Sequence, residues 1–266
     1  MNIIYIIIVL FIIYIIYFLY KETTEIKLEK VKIYSDKINN KIKILQLSDI
    51  HFKREGKKEK KIQSLINEID YDLLVFTGDY VLEEKYFNDF QKFIQKLDIK
   101  KPAYAVTGNH EILININNLK DLFKENNIKL LLNDAETLEI KEEKINIIGV
   151  ENPDAKYFED KNFKNILKPL DTLRNFNLVL SHKYDILDHI NNSQNIDLVL
   201  AGDTHGGQVN ISYLSFKLLK KIGSIKYLKG KHKINNLTLY VNRGIGTSLF
   251  PVRFNSPPEI TLIEIE

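Results

Sequence analysis

Five short apolar runs, each stopping at a cluster of Asp, Asn, His, Ser or Gly, constrain this chain more than any other feature. They are KILQLSDIH (43–51), DLLVFTGDY (72–80), PAYAVTGNHE (102–111), NLVLSH (177–182) and DLVLAGDTH (197–205). Uninterrupted runs rich in Ile, Val and Leu are what strands buried on both faces look like. Between them, KKEKKIQSLINEI and YFNDFQKFIQKL place apolar residues at helical spacing. The chain is therefore read as α/β. IKLLLN, ETLEI and KINIIGV, within 128–150, leave little room for helices and predict a mixed sheet. SIKYLKG, LTLYVN and ITLIEI predict further strands after Gly207. No repeat or low-complexity linker interrupts the chain, and no second-domain boundary follows residue 40.

In open α/β sheets ligands collect at the carboxyl ends of the strands. All five runs carry their polar residues at that end, so Asp49, His51, Asp79, Asn109, His110, His182, Asp203 and His205 can meet at one site. Taken singly, each reads as a turn former or a helix cap. Taken together they do not, because four of the six histidines sit at such ends beside Gly, Asp, Asn or Ser. The absence of cysteine excludes disulfides, zinc–thiolate sites and thiol nucleophiles. Any metal is then held by His, Asp, Glu, Asn or backbone oxygen. Such donors suit Mn²⁺ or Fe²⁺, with Zn²⁺ and Mg²⁺ also compatible. Two ions roughly 3.5–4 Å apart can clamp a phosphate, provided that one carboxylate is shared between them. The charge, 38 Lys+Arg against 35 Asp+Glu, excludes a surface built to hold nucleic acid as a stable partner.

Ile3 to Tyr20 contains no charge, Gly or Pro, and its 18 residues nearly match a bilayer core of about 30 Å. A cleaved signal peptide would need a basic start, a shorter apolar stretch and a small-residue cleavage site, and the sequence offers none of these. Residues 1–21 are read as a transmembrane anchor, 22–41 as a juxtamembrane segment and first strand, and 42–266 as one domain. Lys21, Lys27, Lys30 and Lys32 follow the helix, which places the domain in the cytoplasm by the positive-inside rule. Export to the outer side is the alternative.

SDIH, GDY, GNHE, LSH and GDTHGG, in that order, resemble the signature of the calcineurin-like metallophosphoesterase superfamily, over almost everything after residue 42. THGGQV and VNRGIGTSLFPVRFNSPPEI (241–260) resemble its YkuE-like, membrane-associated bacterial branch. The resemblance implies a four-layer α/β/β/α sandwich holding two divalent metals, in a single-pass protein of the bacterial cell membrane. Asp49, His51 and His205 would bind one metal, Asp79 would bridge, and Asn109, His182 and Asp203 would bind the second. A metal-bridging hydroxide would then cleave a phosphodiester or pyrophosphate bond in a lipid or nucleotide conjugate. His110 would steady the phosphate or protonate the leaving group. Arg243 and Arg253, on a loop closing over the site, would contact substrate phosphate or carboxyl groups; surface arginines beside a structural Pro-Pro turn are the alternative.

Two departures stand out. Asp203 occupies the place of the first His in the family's Gly-His-x-His pattern, which adds negative charge and favours harder ions. VLEE after GDY departs from Ser/Thr protein phosphatases, which would carry Asp at position 82 and Arg at 83. An enzyme cleaving UDP-2,3-diacylglucosamine is an alternative within the branch, and a non-catalytic metal-binding scaffold is an alternative outside catalysis. Glu111 is read as a first-turn helix residue, His189 (in a helix, YDILDHINN) and His232 (in a hairpin) as solvated, and KREGKKEKK (53–61) as a solvated loop and helix start, with a membrane-facing basic patch as the alternative.

Overall fold

Burial on both faces is what the apolar runs require, and two stacked sheets supply it. A computed structural model describes residues 3–151, 165–168, 170–190, 194–210, 225–248 and 250–266. After helix α1 (Ile3–Thr24), the first sheet contains β1 (Lys27–Ile33), β2 (Ile42–Leu47), β3 (Leu73–Thr77), β4 (Ala103–Val106), β5 (Ile128–Leu130) and the last strand, β12 (Glu259–Ile265). Its order is β1-β12-β2-β3-β4-β5. The second contains β6 (Asp134–Ile140), β7 (Glu143–Gly149), β8 (Phe176–Leu180), β9 (Leu198–Ala201), β10 (Gly230–Ile234) and β11 (Leu237–Val241), in the order β10-β11-β9-β8-β7-β6. Both sheets are mixed: β2, β3, β4 and β5 run parallel, as do β7, β8, β9 and β11, while β12 lies antiparallel to β2 and β6 to β7.

The two-residue period of a strand sorts each buried run into two cores. Leu73 and Val75 of β3, with Leu178, Leu180, Leu198 and Leu200 of β8 and β9, fill the space between the sheets. Leu74 and Phe76 face outward to α2 (Lys57–Glu68), α3 (Phe87–Gln95) and α4 (Ile116–Glu125), meeting Ile62, Phe90, Phe93 and Phe123. Val179, Val199 and Ala201 face the opposite way, toward Ile186 in the 3₁₀ turn Tyr184–His189 and Leu167 in a helical turn. The layers are thus α/β/β/α. Gln46 pins the sheets together near the strand ends, its Nε2 donating to Thr77 Oγ1 at 3.1 Å and to Ala201 O at 3.2 Å.

Three expectations are corrected. In SIKYLKG (224–230), residues 225–228 form no strand; β10 begins at Gly230 and turns into β11 through Asn235–Asn236. The reason is that Leu228 is buried and its carbonyl accepts from Thr204 Oγ1 at 2.6 Å, so the apolar residues fix a loop. YDILDHINN yields only the 3₁₀ turn, and residues 191–192 lie outside the described residues. His189 and His232 are half-buried, and the His232 ring lies 4.9 Å from that of Tyr227.

Helix α1 is long and apolar enough to cross a membrane, and Ile3 to Phe18 are exposed throughout. Among the described residues its last turns meet the body: Phe18 meets the Phe254 ring at 6.0 Å, Thr23 Oγ1 accepts from Arg253 N at 2.8 Å, and Glu22 Oε2 accepts from Asn255 N at 3.1 Å.

Phe90 is fully buried among the rings of Phe52, Tyr80, Phe87, Phe93 and Phe123. Phe90→Ala is expected to lower the unfolding free energy by about 3–5 kcal/mol in urea titrations of the detergent-solubilised protein. A loss below about 1 kcal/mol would mean that this layer collapses around the cavity.

Candidate metal centre

The loops that leave β2 and β3 continue side by side instead of diverging. Asp49 N donates to Gly78 O and His51 N to Asp79 O, each at 3.0 Å, and Phe52 N donates to Tyr80 O at 2.8 Å. Asp49, His51 and Asp79 are therefore set in register by backbone alone. Asp49, His51, Asp79, Asp203 and His205 all have left-handed backbone, with φ between 43° and 70°. For non-glycine residues that costs on the order of 1 kcal/mol or more each. It turns every one of these side chains off its strand end and toward a common point. Two glycines make the crowding possible: a Cβ on Gly108 would strike the Asp79 carboxylate, and one on Gly202 would strike Ser48 Oγ and Asp49 Oδ2.

All eight residues expected at the site come together. Donor atoms of Asp49, His51 and His205 lie within 4.8 Å of one another, as do those of Asp49, Asp79 and His182, and those of His51, Asp79 and His110. Asp79 Oδ2 sits between the groups, 3.4 Å from His51 Nε2 and 3.4 Å from His182 Nε2. Asn109 Oδ1 is 3.1 Å and Asp203 Oδ1 3.4 Å from the same His182 nitrogen. His51 and His205 point their Nε2 atoms at each other across 3.1 Å. His110 stands half-buried at the edge, its ring 4.5 Å from that of His51, its backbone N donating to Asp79 Oδ1 at 2.9 Å, and its Nδ1 3.2 Å from Leu82 O.

The charge state of the cluster fits a cation. Burial pushes the Asp49 carboxyl up to about 7, with His182 opposing and Asp79 and Asp203 adding to the rise. Burial pushes His51 down to about 3 and His205 well below its ordinary range. His182 is raised well above its ordinary range, because Asp79, Asp203 and Asp49 outweigh its burial. Its Nδ1 is committed to Thr77 O at 2.8 Å, so the proton those carboxylates favour sits on Nε2. Asp79 is correspondingly held below the usual carboxylate range, His182 and His51 overcoming its burial. One proton there faces Asp79 Oδ2, Asn109 Oδ1 and Asp203 Oδ1, the donor set a divalent ion would use in its place. His51 Nδ1 is buried without a hydrogen bond.

Four residues take roles the sequence did not indicate. Glu111, read as a first-turn helix residue, does lie in the first turn of the 3₁₀ helix His110–Leu113, but it is also buried, and its carboxylate accepts from the backbone N of Asp79 and Tyr80 at 2.9 Å each and of Gly108 at 2.5 Å. The signal for this clamp was the spacing Gly-x-x-Glu, at which an acid reaches back to a backbone N–H three residues earlier. Arg253, expected to contact substrate, is fully buried, and its fork is spent on the carbonyls of Gly246, Ser256, His205 and Arg243, with Nη2 3.1 Å from His205 Nδ1. Burial lowers it to about 10. Arg243, the other expected contact, is held by acids: Nη2 lies 2.5 Å from Glu29, and Nε lies 2.5 Å from Glu259 without the alignment of a hydrogen bond. Both arginines brace the loop rather than face the opening. Ser48, also unforeseen, donates to Asp49 Oδ2 at 2.5 Å, while Asp203 N donates to both oxygens of Asp49 at 3.1 and 3.2 Å.

Comparison with known proteins agrees with this arrangement. The family model described as calcineurin-like phosphoesterase matches residues 42–207. The metallophosphoesterase YkoQ of Bacillus subtilis, itself uncharacterised, is 28% identical over 85% of this chain and 84% of its own. Phosphodiesterase YaeI of Escherichia coli is 26% identical over 84% of this chain and 82% of its own, and the UDP-2,3-diacylglucosamine pyrophosphatase LpxG of Chlamydia trachomatis 25% over 84% and 83%. Among solved structures, the NAD nucleotidase NadN of Haemophilus influenzae shares the fold with a TM-score of 0.54 at 17% identity, over 77% of this chain and about half (51%) of that one. With two stacked mixed sheets and a buried Asp/His cluster at their strand ends, the chain belongs to the calcineurin-like phosphoesterase family, in its YkuE-like bacterial branch, and is a metal-dependent phosphoester hydrolase.

Proposed function

We propose that this chain is a membrane-anchored phosphoesterase that hydrolyses a phosphodiester or pyrophosphate bond with two divalent ions. The observation that carries the reading is the Asp79 carboxylate, whose Oδ2 lies 3.4 Å from an imidazole of each group. Asp49, His51 and His205 would hold one ion, Asn109, His182 and Asp203 the other, with Asp79 shared. When bound, such ions neutralise phosphate charge and make water a competent nucleophile near neutral pH. The oxygen-rich second group favours Mn²⁺ or Fe²⁺ over softer ions.

The protein supplies positioning and a proton. Ser48 and the backbone of Asp203 fix the Asp49 carboxylate, and Thr77 O fixes the His182 ring. With Nδ1 of His110 donating to Leu82 O, Nε2 is the nitrogen left to protonate the departing oxygen. Asp79 Oδ1 accepts from the backbone of His110, so the shared carboxylate and the proton donor are set by one contact. The lysines after α1 favour a cytoplasmic domain at the bacterial membrane. A second reading, cleavage of a UDP-2,3-diacylglucosamine-type pyrophosphate, is favoured by the likeness to LpxG. A metal-binding scaffold without catalysis is less well supported, because all eight converging residues are present.

Hydrolysis of bis-p-nitrophenyl phosphate should require Mn²⁺ and stop on chelation. His110→Ala should lower kcat by roughly 10²–10⁴ with metal content retained, whereas Asp79→Ala should lose both turnover and tight metal by elemental analysis. Full activity in Asp79→Ala would overturn the shared-carboxylate reading. Thermal unfolding should also respond: Mn²⁺ at about one hundred times its Kd should stabilise the wild type by about 2.7 kcal/mol over the chelated protein, and Asp79→Ala should abolish that gain. Asp203→His should shift the preference from Mn²⁺ toward Zn²⁺, read as relative turnover with each ion.

A further inference from the structure

Outside α1, the exposed large apolar side chains among the described residues are Tyr34, Ile112, Leu113, Leu173, Val209 and Phe250. Single exposed apolar residues are ordinary, but a concentration on one rim marks an interaction surface. Four of these six stand on the loops that carry the site. Ile112 and Leu113 lie in the turn that begins at His110, and Val209 follows the turn His205–Gly207. Phe250 is tied to that loop, its carbonyl accepting from Gln208 Nε2 at 2.5 Å.

The anchor helix arrives on the same side. A cavity of about 320 Å³ is lined by Tyr20 and Thr24 at the end of α1, by His51 of the metal centre, and by the basic side chains Lys53, Arg54 and Lys57. Thr24 is both the last residue of the helix and part of the cavity wall, so no tether separates the apolar span from the site. Thr23 and Glu22 are hydrogen-bonded to the backbone of Arg253 and Asn255, which fixes the helix end against the loop that braces His205. A helix held that way in a bilayer sets the cavity mouth at headgroup level, where Lys and Arg meet phosphate and apolar side chains can enter the interface.

We propose, resting on the anchored-phosphoesterase reading, that the site opens onto the membrane surface and takes an amphiphilic phosphoester. Its chains stay in the bilayer, its phosphate enters past Lys53, Arg54 and Lys57, and Ile112, Leu113, Val209 and Phe250 dip into the interface. Water adds its hydroxyl to phosphorus, the P–O ester bond breaks, and the departing alkoxide leaves with a proton, so no further reactant is needed.

The chain contains no tryptophan, so single reporters are clean. Ile112→Trp, Phe250→Trp and Leu173→Trp are each placed in the full chain in phosphatidylcholine–phosphatidylglycerol vesicles. Leu173, also exposed, precedes β8 and so lies at the strand ends opposite the site. Lipids brominated on the acyl chain should quench the first two reporters and spare the third. Equal quenching of all three, or of none, overturns the interfacial rim and assigns it to another partner. Hydrolysis is then compared for hexadecyl p-nitrophenyl phosphate in the vesicles and methyl p-nitrophenyl phosphate in solution, which react at the same phosphodiester. The lipid ester should be favoured at least tenfold in kcat/KM, with the ratio falling in an Ile112→Ser, Phe250→Ser double variant. A ratio near one overturns the lipid substrate. Turnover of neither ester overturns the phosphoesterase reading instead, and the quenching result still decides the rim.

Discussion

The buried carboxylate of Glu111 holds the site in one shape. It gathers the backbone N–H groups of Asp79, Tyr80 and Gly108, and so fixes the loops after β3 and β4 to each other. Without an acceptor there, three buried donors would go unsatisfied, each at about 1–3 kcal/mol. Burial raises this carboxyl to about 7, with Asp79 adding to the rise and the three N–H groups opposing it. The Asp79 side chain, the most central donor of the cluster, inherits its position from that contact. Its two oxygens then divide the work, Oδ1 toward the backbone of His110 and Oδ2 between His51 and His182.

Electrostatics and packing pull in opposite directions around this point. The sandwich buries Asp49, Asp79, His51, His182 and His205 almost completely, which by itself disfavours every charged form. The carboxylates compensate partly by raising His182, and the remaining demand is for positive charge at a place where oxygen and nitrogen donors already converge. Left-handed backbone at five of the eight positions is a further cost of aiming them inward. Such strain persists only where the surroundings over-determine the turn, as the paired loops do here.

Much of this was legible before any coordinates, for definite reasons. β3, β4, β8 and β9 are buried on both faces, so their hydrophobic runs stand out from the background, and their polar ends mark the carboxyl side of the sheets. β10 showed only as a lysine-rich hairpin around His232, its start misplaced onto SIKYLKG, because it is an edge strand whose outward residues are Lys231 and Lys233, leaving no apolar run to see. Arg253 was misplaced for a subtler reason. A surface arginine and one saturated by backbone carbonyls are identical in sequence, since carbonyl acceptors exist at every residue. Arg243 was misread likewise, because one partner, Glu29, lies 214 residues away and the other, Glu259, is brought to it only by the closure of the loop between them. Glu111 left a faint trace because one of its three bonds is local.

The junction between α1 and the body carries a kinetic meaning of its own. A catalytic domain on a long linker explores a volume, and its encounter rate follows bulk concentration. Here the last helical residue is also cavity wall, so a domain held in a bilayer by α1 is confined to a plane. For a substrate dissolved in that plane, the governing variable is its mole fraction among the lipids. Diluting the vesicles would leave turnover per enzyme unchanged, whereas diluting the substrate with inert lipid would slow it.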